Sequence, residues 1–212
     1  KVIISPHGMI NPFSFNQKFL KKIIGWHLYQ KLIFLLSNLI IVNSNVEKKN
    51  LHLKLGQNKK KIIIIPHGVN ANFKYKFRKN RQNKILEFVY YSRIHPSKNL
   101  HKIIHLWKKK EISKYANLNI YGEIEDLNYF NQLKRDINYK SISYRGLIKK
   151  NYQNELSKYD VFIHPSNSEN FGIVVLEALS SGLYLVLNKK LPWNHLANKG
   201  FVSFTNFNKN EI

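Results

Sequence analysis

Residues 164–182, HPSNSENFGIVVLEALSSG, narrow most sharply what this chain can fold into. They follow a short apolar run, Asp160-Val-Phe-Ile, that reads as a buried strand. The run breaks at Pro165 and Ser166, turns through small polar residues, and passes near Phe171 into FGIVVLEALSS, which reads as a helix. Gly182 ends that helix, because glycine accepts positive φ without a side-chain penalty. Strand, loop and helix in this order are how an open α/β sheet presents a ligand beyond its strand ends. The start of such a helix offers amide N–H groups without intrahelical partners and the positive end of the helix dipole, both suited to phosphate. Glu169 falls in the loop and Glu177 on the helix, beside the packing residues Ile173, Val174 and Leu176. A carboxylate repels phosphate but accepts hydrogen bonds from sugar hydroxyls. On residue type alone, the pair reads equally as a solvated loop residue and a surface helix residue.

The rest of the chain alternates in the same way. Val2–Ser5 reads as a strand ending in Pro6-His7-Gly8-Met9, and residues 16–36 as a helix, basic at first and apolar later. Leu39–Asn43 is the next strand. Ser44 and Glu47 form a capping-box pattern opening a helix that ends near Gly56, and Lys61–Ile65 is a further strand closed by PHGVN. Residues 72–84 are basic, polar and without period, which predicts a linker between a first domain, 1–71, and a second, 85–212. The second domain repeats the alternation. Its strands are Ile85–Tyr91, Leu118–Tyr121, Ser141–Tyr144, the run before His164, Leu183–Leu187 and one near Phe201; its helices are Asn99–Lys110, Leu127–Ile137 and a short one capped by Asn151. Strict alternation implies parallel sheets with right-handed crossovers. The fold class is therefore α/β with two Rossmann-like parallel-sheet domains. The first is incomplete, because the chain opens inside a strand.

The charge narrows the partners. Lys and Arg number 35 against 12 acidic residues, a net +23, and only five of the basic residues are arginine. Such a balance suits phosphate-bearing substrates, an anionic membrane face or nucleic acid. No nucleic-acid motif is recognisable, so no nucleic-acid partner is expected, although a non-enzymatic basic binding module stays open as an alternative. The first helix, with Phe13, Phe15, Phe19 and Trp26 among its lysines, fits either a membrane surface or the face of its own sheet. No run reaches the roughly 20 apolar residues of a membrane span. The chain has no cysteine, which excludes disulfides and thiolate metal sites.

The full string PSxxExFGxxxxEAxxxG resembles the donor-binding signature of the retaining glycosyltransferases of family 4, which have the GT-B fold. The likeness extends over SPHGM, IVNSNVE, IIPHGVN, SRIHPSKNL, NIYGE and YRGLI, and it lacks the front of the N-terminal domain. It implies that Glu169 contacts the donor sugar and Glu177 the nucleotide ribose, with Asn170, Phe171 and Gly172 completing the donor loop. Arg93 and Lys98, in a loop between a strand and a helix, resemble the pair that binds the donor phosphates and stabilises the leaving group; Ser92 stands where the family often has glycine. His7 resembles the histidine near the anomeric centre. His67 is implied to be structural or peripheral, and His164 either lines the pocket or packs. Arg145 and Leu147 are implied to border the base. After Gly182 the family's x-Pro-Val is replaced by Leu183-Tyr184-Leu185, which puts the local loop geometry in question.

The catalytic set implied is His7, Arg93, Lys98 and Glu169. The activity implied is metal-independent transfer, with retention and without a cofactor, from a nucleotide-diphosphate sugar to a polysaccharide or lipid-linked acceptor. The site would be cytoplasmic, peripheral at the inner face of the plasma membrane, in lipopolysaccharide or other surface-glycan synthesis. A sugar-nucleotide epimerase or a phosphorylase on the same fold is the alternative enzyme.

Overall fold

The computed structural model describes residues 1–12, 19–56, 61–69, 85–109, 112–137, 141–149 and 151–208. The expected linker, 72–84, and the opening of the first expected helix, at 16–18, lie outside the described residues. The fold is α/β, and the described residues form two all-parallel sheets of three and six strands. The chain divides into two compact units. One comprises Lys1–Gly68 together with Glu169–Phe171; the other comprises Val69–Ser168 and Gly172–Ile212.

In the first unit the order is β1 (Ile3–Ile4), α1 (Phe19–Gly25), a π-helical turn (Trp26–Gln30), α2 (Lys31–Leu36), β2 (Leu39–Val42), α3 (Asn45–Leu55) and β3 (Ile62–Ile64). β2 lies between β1 and β3, parallel to both. Its alternate residues Ile40 and Val42 are fully buried and pack with Ile10, Trp26, Phe34, Leu51 and Leu55. The single helix expected over 16–36 is thus an α–π–α run over its described part. One side carries Trp26 and Phe34 into the core, their rings 5.8 Å apart. The other leaves Leu20, Ile24, Leu28, Leu32 and Leu36 55–75% exposed. On a regular α-helix a row spaced by four slides about 40° around the axis at each step. The wider π turn in the middle of the row takes up part of that drift.

α3 opens as expected on one side only. The Ser44 hydroxyl accepts the Glu47 N–H at 3.1 Å, but the reciprocal half of the capping box does not form. Glu47 shares the inward stripe of α3 with Leu51 and Leu55, so its carboxylate points away from Ser44 N–H. It accepts instead from the backbone of Gly8 and Asn43.

The second unit holds β4 (Leu86–Tyr91), α4 (Leu100–Lys109), β5 (Ala116–Tyr121), α5 (Leu127–Ile137), β6 (Ile142–Gly146), α6 (Tyr152–Leu156), β7 (Val161–His164), α7 (Ile173–Ser180), β8 (Tyr184–Asn188) and β9 (Val202–Thr205). The strand order is β6-β5-β4-β7-β8-β9. Successive strands step outward from β4 to β6, then restart on the other side of β4, which is the doubly wound order with its reversal between β4 and β7. α4 covers the sheet through Leu100, Ile103, Ile104 and Trp107, an i, i+3, i+4, i+7 stripe that is almost completely buried. Trp107 also donates its indole N–H to Ala116 O at 3.3 Å. α5 adds Tyr129, Leu133 and Ile137 at intervals of four.

Three local expectations are corrected. β5 begins at Ala116, two residues before the expected Leu118, because Asn117 sits in the ladder opposite Glu87 and interrupts the apolar run. Asn151 occupies the position before α6 with φ 50° and makes no side-chain cap. α7 starts only at Ile173, because Gly172 is left-handed, φ 77°. At its other end the loss of the x-Pro-Val turn is made good by the backbone. Gly182 at φ 78° places its N–H on Leu179 O (3.0 Å) and the Leu183 N–H on Ala178 O (3.2 Å), the paired bonds of a Schellman motif.

The loop after β4 is held by the loop after β5. Ser92 N–H donates to Tyr121 O, Ile94 N–H to Glu123 O, and Asp126 N–H returns to Ile94 O. A side chain at Gly122 would put its Cβ 1.8 Å from Ser92 O. Gly122→Ala should therefore force these backbones apart. A stability loss of about 1–3 kcal/mol is expected in chemical denaturation, and an unchanged midpoint would show that the loops are not in that contact.

Candidate functional site

The expected site residues fall into two sets, one in each unit. Arg93, Lys98, Arg145, Leu147, Gly172 and Glu177 belong to the second unit; His7, Glu169, Asn170 and Phe171 belong to the first.

In the second unit the reversal of strand order sets the loops after β4 and β7 side by side, and such crevices are where doubly wound sheets take ligands. Asn99 joins the two loops. It is left-handed (φ 56°), which asparagine tolerates, and its side-chain N–H donates to Pro165 O at 3.1 Å. The buried Asn188, at the end of β8, donates to the same carbonyl at 3.3 Å and to Asn167 Oδ1 at 3.1 Å. Neither asparagine was singled out by sequence. The signal for Asn188 is one polar residue closing the strand YLVLN.

Arg93 and Lys98 both lie on the β4 loop but in different settings. Arg93 is exposed and forms an ion pair with Glu125 at 2.7 Å. An exposed pair of this kind contributes at most about 1 kcal/mol, so an anion with two charges can compete for the guanidinium. Lys98 closes a single 3₁₀ turn, Pro96–Lys98, and is only 9% exposed. His95 caps that turn by accepting the Ser97 N–H at its ring nitrogen, at 3.2 Å.

Gly172 brings no capping side chain to the first turn of α7, and that turn holds no acidic residue. Glu177 is half-buried on α7, and burial pushes its carboxyl above the ordinary glutamate range. The charge of Glu177 adds to the burial that raises the hydroxyls of Tyr91 and Tyr152, so all three groups share one electrostatic neighbourhood.

Arg145 and Leu147 stand at the carboxyl end of β6. Leu147 is exposed, and Arg145 Nε donates to Asn119 Oδ1 at 2.9 Å. Nearby, the Tyr121 hydroxyl donates to Glu155 and meets the Tyr159 hydroxyl at 2.8 Å. Burial first, then these two hydrogen bonds, raise the Tyr121 hydroxyl far above its usual value. His164 is fully buried, its ring stacked on Phe162 at 5.6 Å and tilted against Tyr90 at 6.5 Å. Of the two readings left open for it, packing is the one its place in β7 supports.

In the first unit His7 and Gly8 are consecutive left-handed residues, φ 43° and 84°. The His7 ring stacks on His67, 6.1 Å between centroids, and His67 meets Phe171 edge-on at 5.2 Å. His7 Nδ1 lies 3.5 Å from the Asn43 side-chain nitrogen. Ser44 Oγ donates to Asn170 O at 2.9 Å, and a Cβ on Gly8 would come within 3.1 Å of the Asn170 side chain. Glu169 is half-buried in the same loop. Glu47 is the residue that sequence reasoning undervalued here, having been read as the back half of a capping box.

The family model of the glycosyl transferases group 1 matches residues 72–208, and the chain belongs to that family. A protein described as "uncharacterized 41.2 kDa protein in cps region" of Klebsiella pneumoniae is 26% identical over 229 residues, which cover 99% of this chain and 59% of that protein. Among solved structures, Anabaena Alr3699/HepE in complex with UDP and glucose is 19% identical, with a TM-score of 0.72 over 96% of this chain and 58% of that one. WaaG, described as a glycosyltransferase involved in lipopolysaccharide biosynthesis, is 13% identical, with a TM-score of 0.65 over 78% of this chain and 48% of that one. The fold is thus that of the GT-B glycosyltransferases, and the chain spans under two thirds of the length of each of these relatives.

Proposed function

We propose that the chain carries the donor-binding part of a retaining, metal-independent glycosyltransferase that moves a sugar from a nucleotide-diphosphate sugar to a glycan or lipid-linked acceptor. The observation that carries the reading is the crevice at the strand reversal of the second unit. In a member of the glycosyl transferases group 1, it presents two cations on one loop, an uncapped helix start and a half-buried carboxylate on that helix.

Transfer must stabilise a departing diphosphate and an oxocarbenium-like carbon. Arg93 offers a planar fork and Lys98 a point charge to the diphosphate, and fixed charges of this kind act without reorganisation. Glu169, with Asn170, Phe171 and Gly172, serves the sugar, and Glu177 the ribose. His7 serves the reacting carbon, and Arg145 and Leu147 border the base. Residues 85–212 form the donor domain in this reading, with 1–71 on the acceptor side and 72–84 as their linker. A nucleotide sugar is supported as donor by the UDP and glucose bound in the Anabaena neighbour. A surface-glycan acceptor is supported by the lipopolysaccharide role of WaaG. Contact with the anionic inner face of the plasma membrane is supported by the exposed row Leu20, Ile24, Leu28, Leu32 and Leu36 on a run that also carries Lys21, Lys22 and Lys31. No described helix is long and apolar enough to cross a membrane.

Three outcomes are expected for the full-length protein. With UDP-glucose as donor and EDTA present throughout, Glu169→Ala should abolish transfer without loss of fold, and Lys98→Ala should weaken donor binding. Unchanged kinetics in either variant, or release of free or epimerised sugar in place of transfer, would refute the assignment. Second, the raised carboxyl of Glu177 means that its ionised form is lost, as pH falls, at a higher pH than for an ordinary glutamate. Donor affinity measured calorimetrically should therefore decline on acidification from a pH above the usual glutamate range. Glu177→Gln should be flat across that window, and an identical decline in the variant would exclude Glu177 as the group responsible. Third, the protein should sediment with phosphatidylglycerol vesicles, and Leu28→Glu should reduce that binding; equal binding by the variant would rule out the exposed row as the contact.

A further inference from the structure

Glu47 is a carboxylate in a place built for an aliphatic side chain. It lies on the inward stripe of α3 with Leu51 and Leu55 and is 1% exposed. Both its oxygens are occupied by backbone amides from the loops that follow two different strands: Oε1 accepts the Gly8 N–H at 2.7 Å, and Oε2 accepts the Asn43 N–H at 2.8 Å. Bonds from amides to an ionised acceptor are roughly twice as strong as neutral ones. The position, third in α3, lies in the positive field of the helix start. These interactions offset the cost of burying the charge. One side chain thus ties the loop that leaves β1 to the residue that follows β2.

The two amides belong to residues that flank the His7 imidazole, Gly8 in sequence and Asn43 in space. Gly8 N–H belongs to the peptide that His7 itself begins, in a turn where His7 and Gly8 both hold positive φ. A left-handed histidine is strained and persists only where its surroundings hold it. Asn43 supplies the side-chain amide that lies 3.5 Å from His7 Nδ1. Its own backbone N–H is the second ligand of Glu47. The carboxylate therefore sets both the backbone from which the imidazole hangs and the group beside its ring. The same helix start reaches the donor loop, since Ser44 Oγ accepts Glu47 N–H and donates to Asn170 O.

We propose that Glu47 is a positioning residue of the transfer reaction, holding His7 in its working orientation through the Gly8 and Asn43 amides. This rests on the functional reading above, in which His7 serves the reacting carbon. It assigns to Glu47 an effect on turnover rather than on donor binding.

The test is a double-mutant cycle in the full-length protein, with transfer from UDP-glucose, donor KM and thermal unfolding measured for wild type, Glu47→Gln, His7→Ala and the double variant. Glutamine keeps the shape but turns an NH₂ group toward one of the two amides. Glu47→Gln should fold and keep donor KM within about twofold, while kcat falls about tenfold or more, as small misplacements near the chemistry do. In the His7→Ala background the same change should cost less than about twofold, because coupled residues are not additive. Should Glu47→Gln not fold, Glu47→Asp, which keeps the charge but cannot reach both amides, enters the same cycle with the same expectation. A wild-type kcat in the folded variant overturns the proposal. So does a full tenfold loss repeated in the His7→Ala background, which would make the effect general to the fold. A wild-type protein that transfers no sugar overturns the functional reading and this proposal together, whereas an active wild type with unaffected variants overturns this proposal alone.

Discussion

β4 is hydrogen-bonded in parallel to β5 on one side and to β7 on the other, and the rest of the second unit depends on that double pairing. With every strand running the same way, all carboxyl ends open on one edge of the sheet. Because the order reverses beside β4, the loops after β4 and β7 leave that edge next to each other, with no helix between them. Functional groups gather there because the topology leaves nothing else to fill the gap. The side chains that close it are amides. Asn99 and Asn188 converge on the carbonyl of Pro165, a buried acceptor with two lone pairs and two donors. A proline at that point supplies no N–H of its own, so the acceptor is the group left to satisfy, and both neighbouring loops contribute to it.

Much of this was legible in the sequence, and the exceptions have physical causes. Apolar runs bounded by glycine, proline and asparagine gave the alternation of strand and helix, because parallel strands buried on both faces read as continuous hydrophobic stretches. Gly182 was recognisable as a helix end for the reason that operates in the structure. β5 was read short because Asn117 breaks its apolar run, and Asn117 and Asn119 share one face of that strand. Their amides are satisfied by the two oxygens of Glu87 across the ladder, 2.7 and 3.0 Å away. Such pairing is invisible to a scale that scores each residue alone. The π turn at Trp26–Gln30 left no mark either, since its residues suit an ordinary helix.

Of the candidate site, the residues carried by motifs were nameable in advance, and those that hold them in place were not. Ser44-x-x-Glu47 fits a capping box in composition, and only the first half forms. The discriminating signal was present: Glu47, Leu51 and Leu55 recur every four residues, and an acid in an apolar stripe is either an error of phase or a buried group with partners. Local propensity favoured the cap, whereas the tertiary structure supplied two amides from the loops after β1 and β2, and two charge-assisted bonds outweigh one return bond at a helix end. Asn99 was hidden in a similar way. Its left-handed backbone and its bond to Pro165 depend on a loop 66 residues away.

The buried polar groups share a design that bears on how such a fold tolerates them. A lone buried carboxylate costs several kcal/mol, and replacing a buried ion pair with apolar residues is often neutral or stabilising. The buried Glu47 avoids that penalty by meeting a separate backbone N–H donor at each oxygen, and the half-buried Glu87 is paired in the same way by the Asn117 and Asn119 side chains. Each therefore adds a side-chain tie between two segments of chain: Glu47 between the loops after β1 and β2, and Glu87 across the β4–β5 ladder. Leucine at position 47 would pack but would leave two backbone donors without a partner, and the cost of those orphans, about 1–3 kcal/mol apiece, exceeds what the added apolar area returns. Glu47 is kept in place by the amides around it, and the loops after β1 and β2 are tied together by Glu47. That mutual dependence is what lets loops rich in glycine and asparagine hold defined positions at the edge of a parallel sheet.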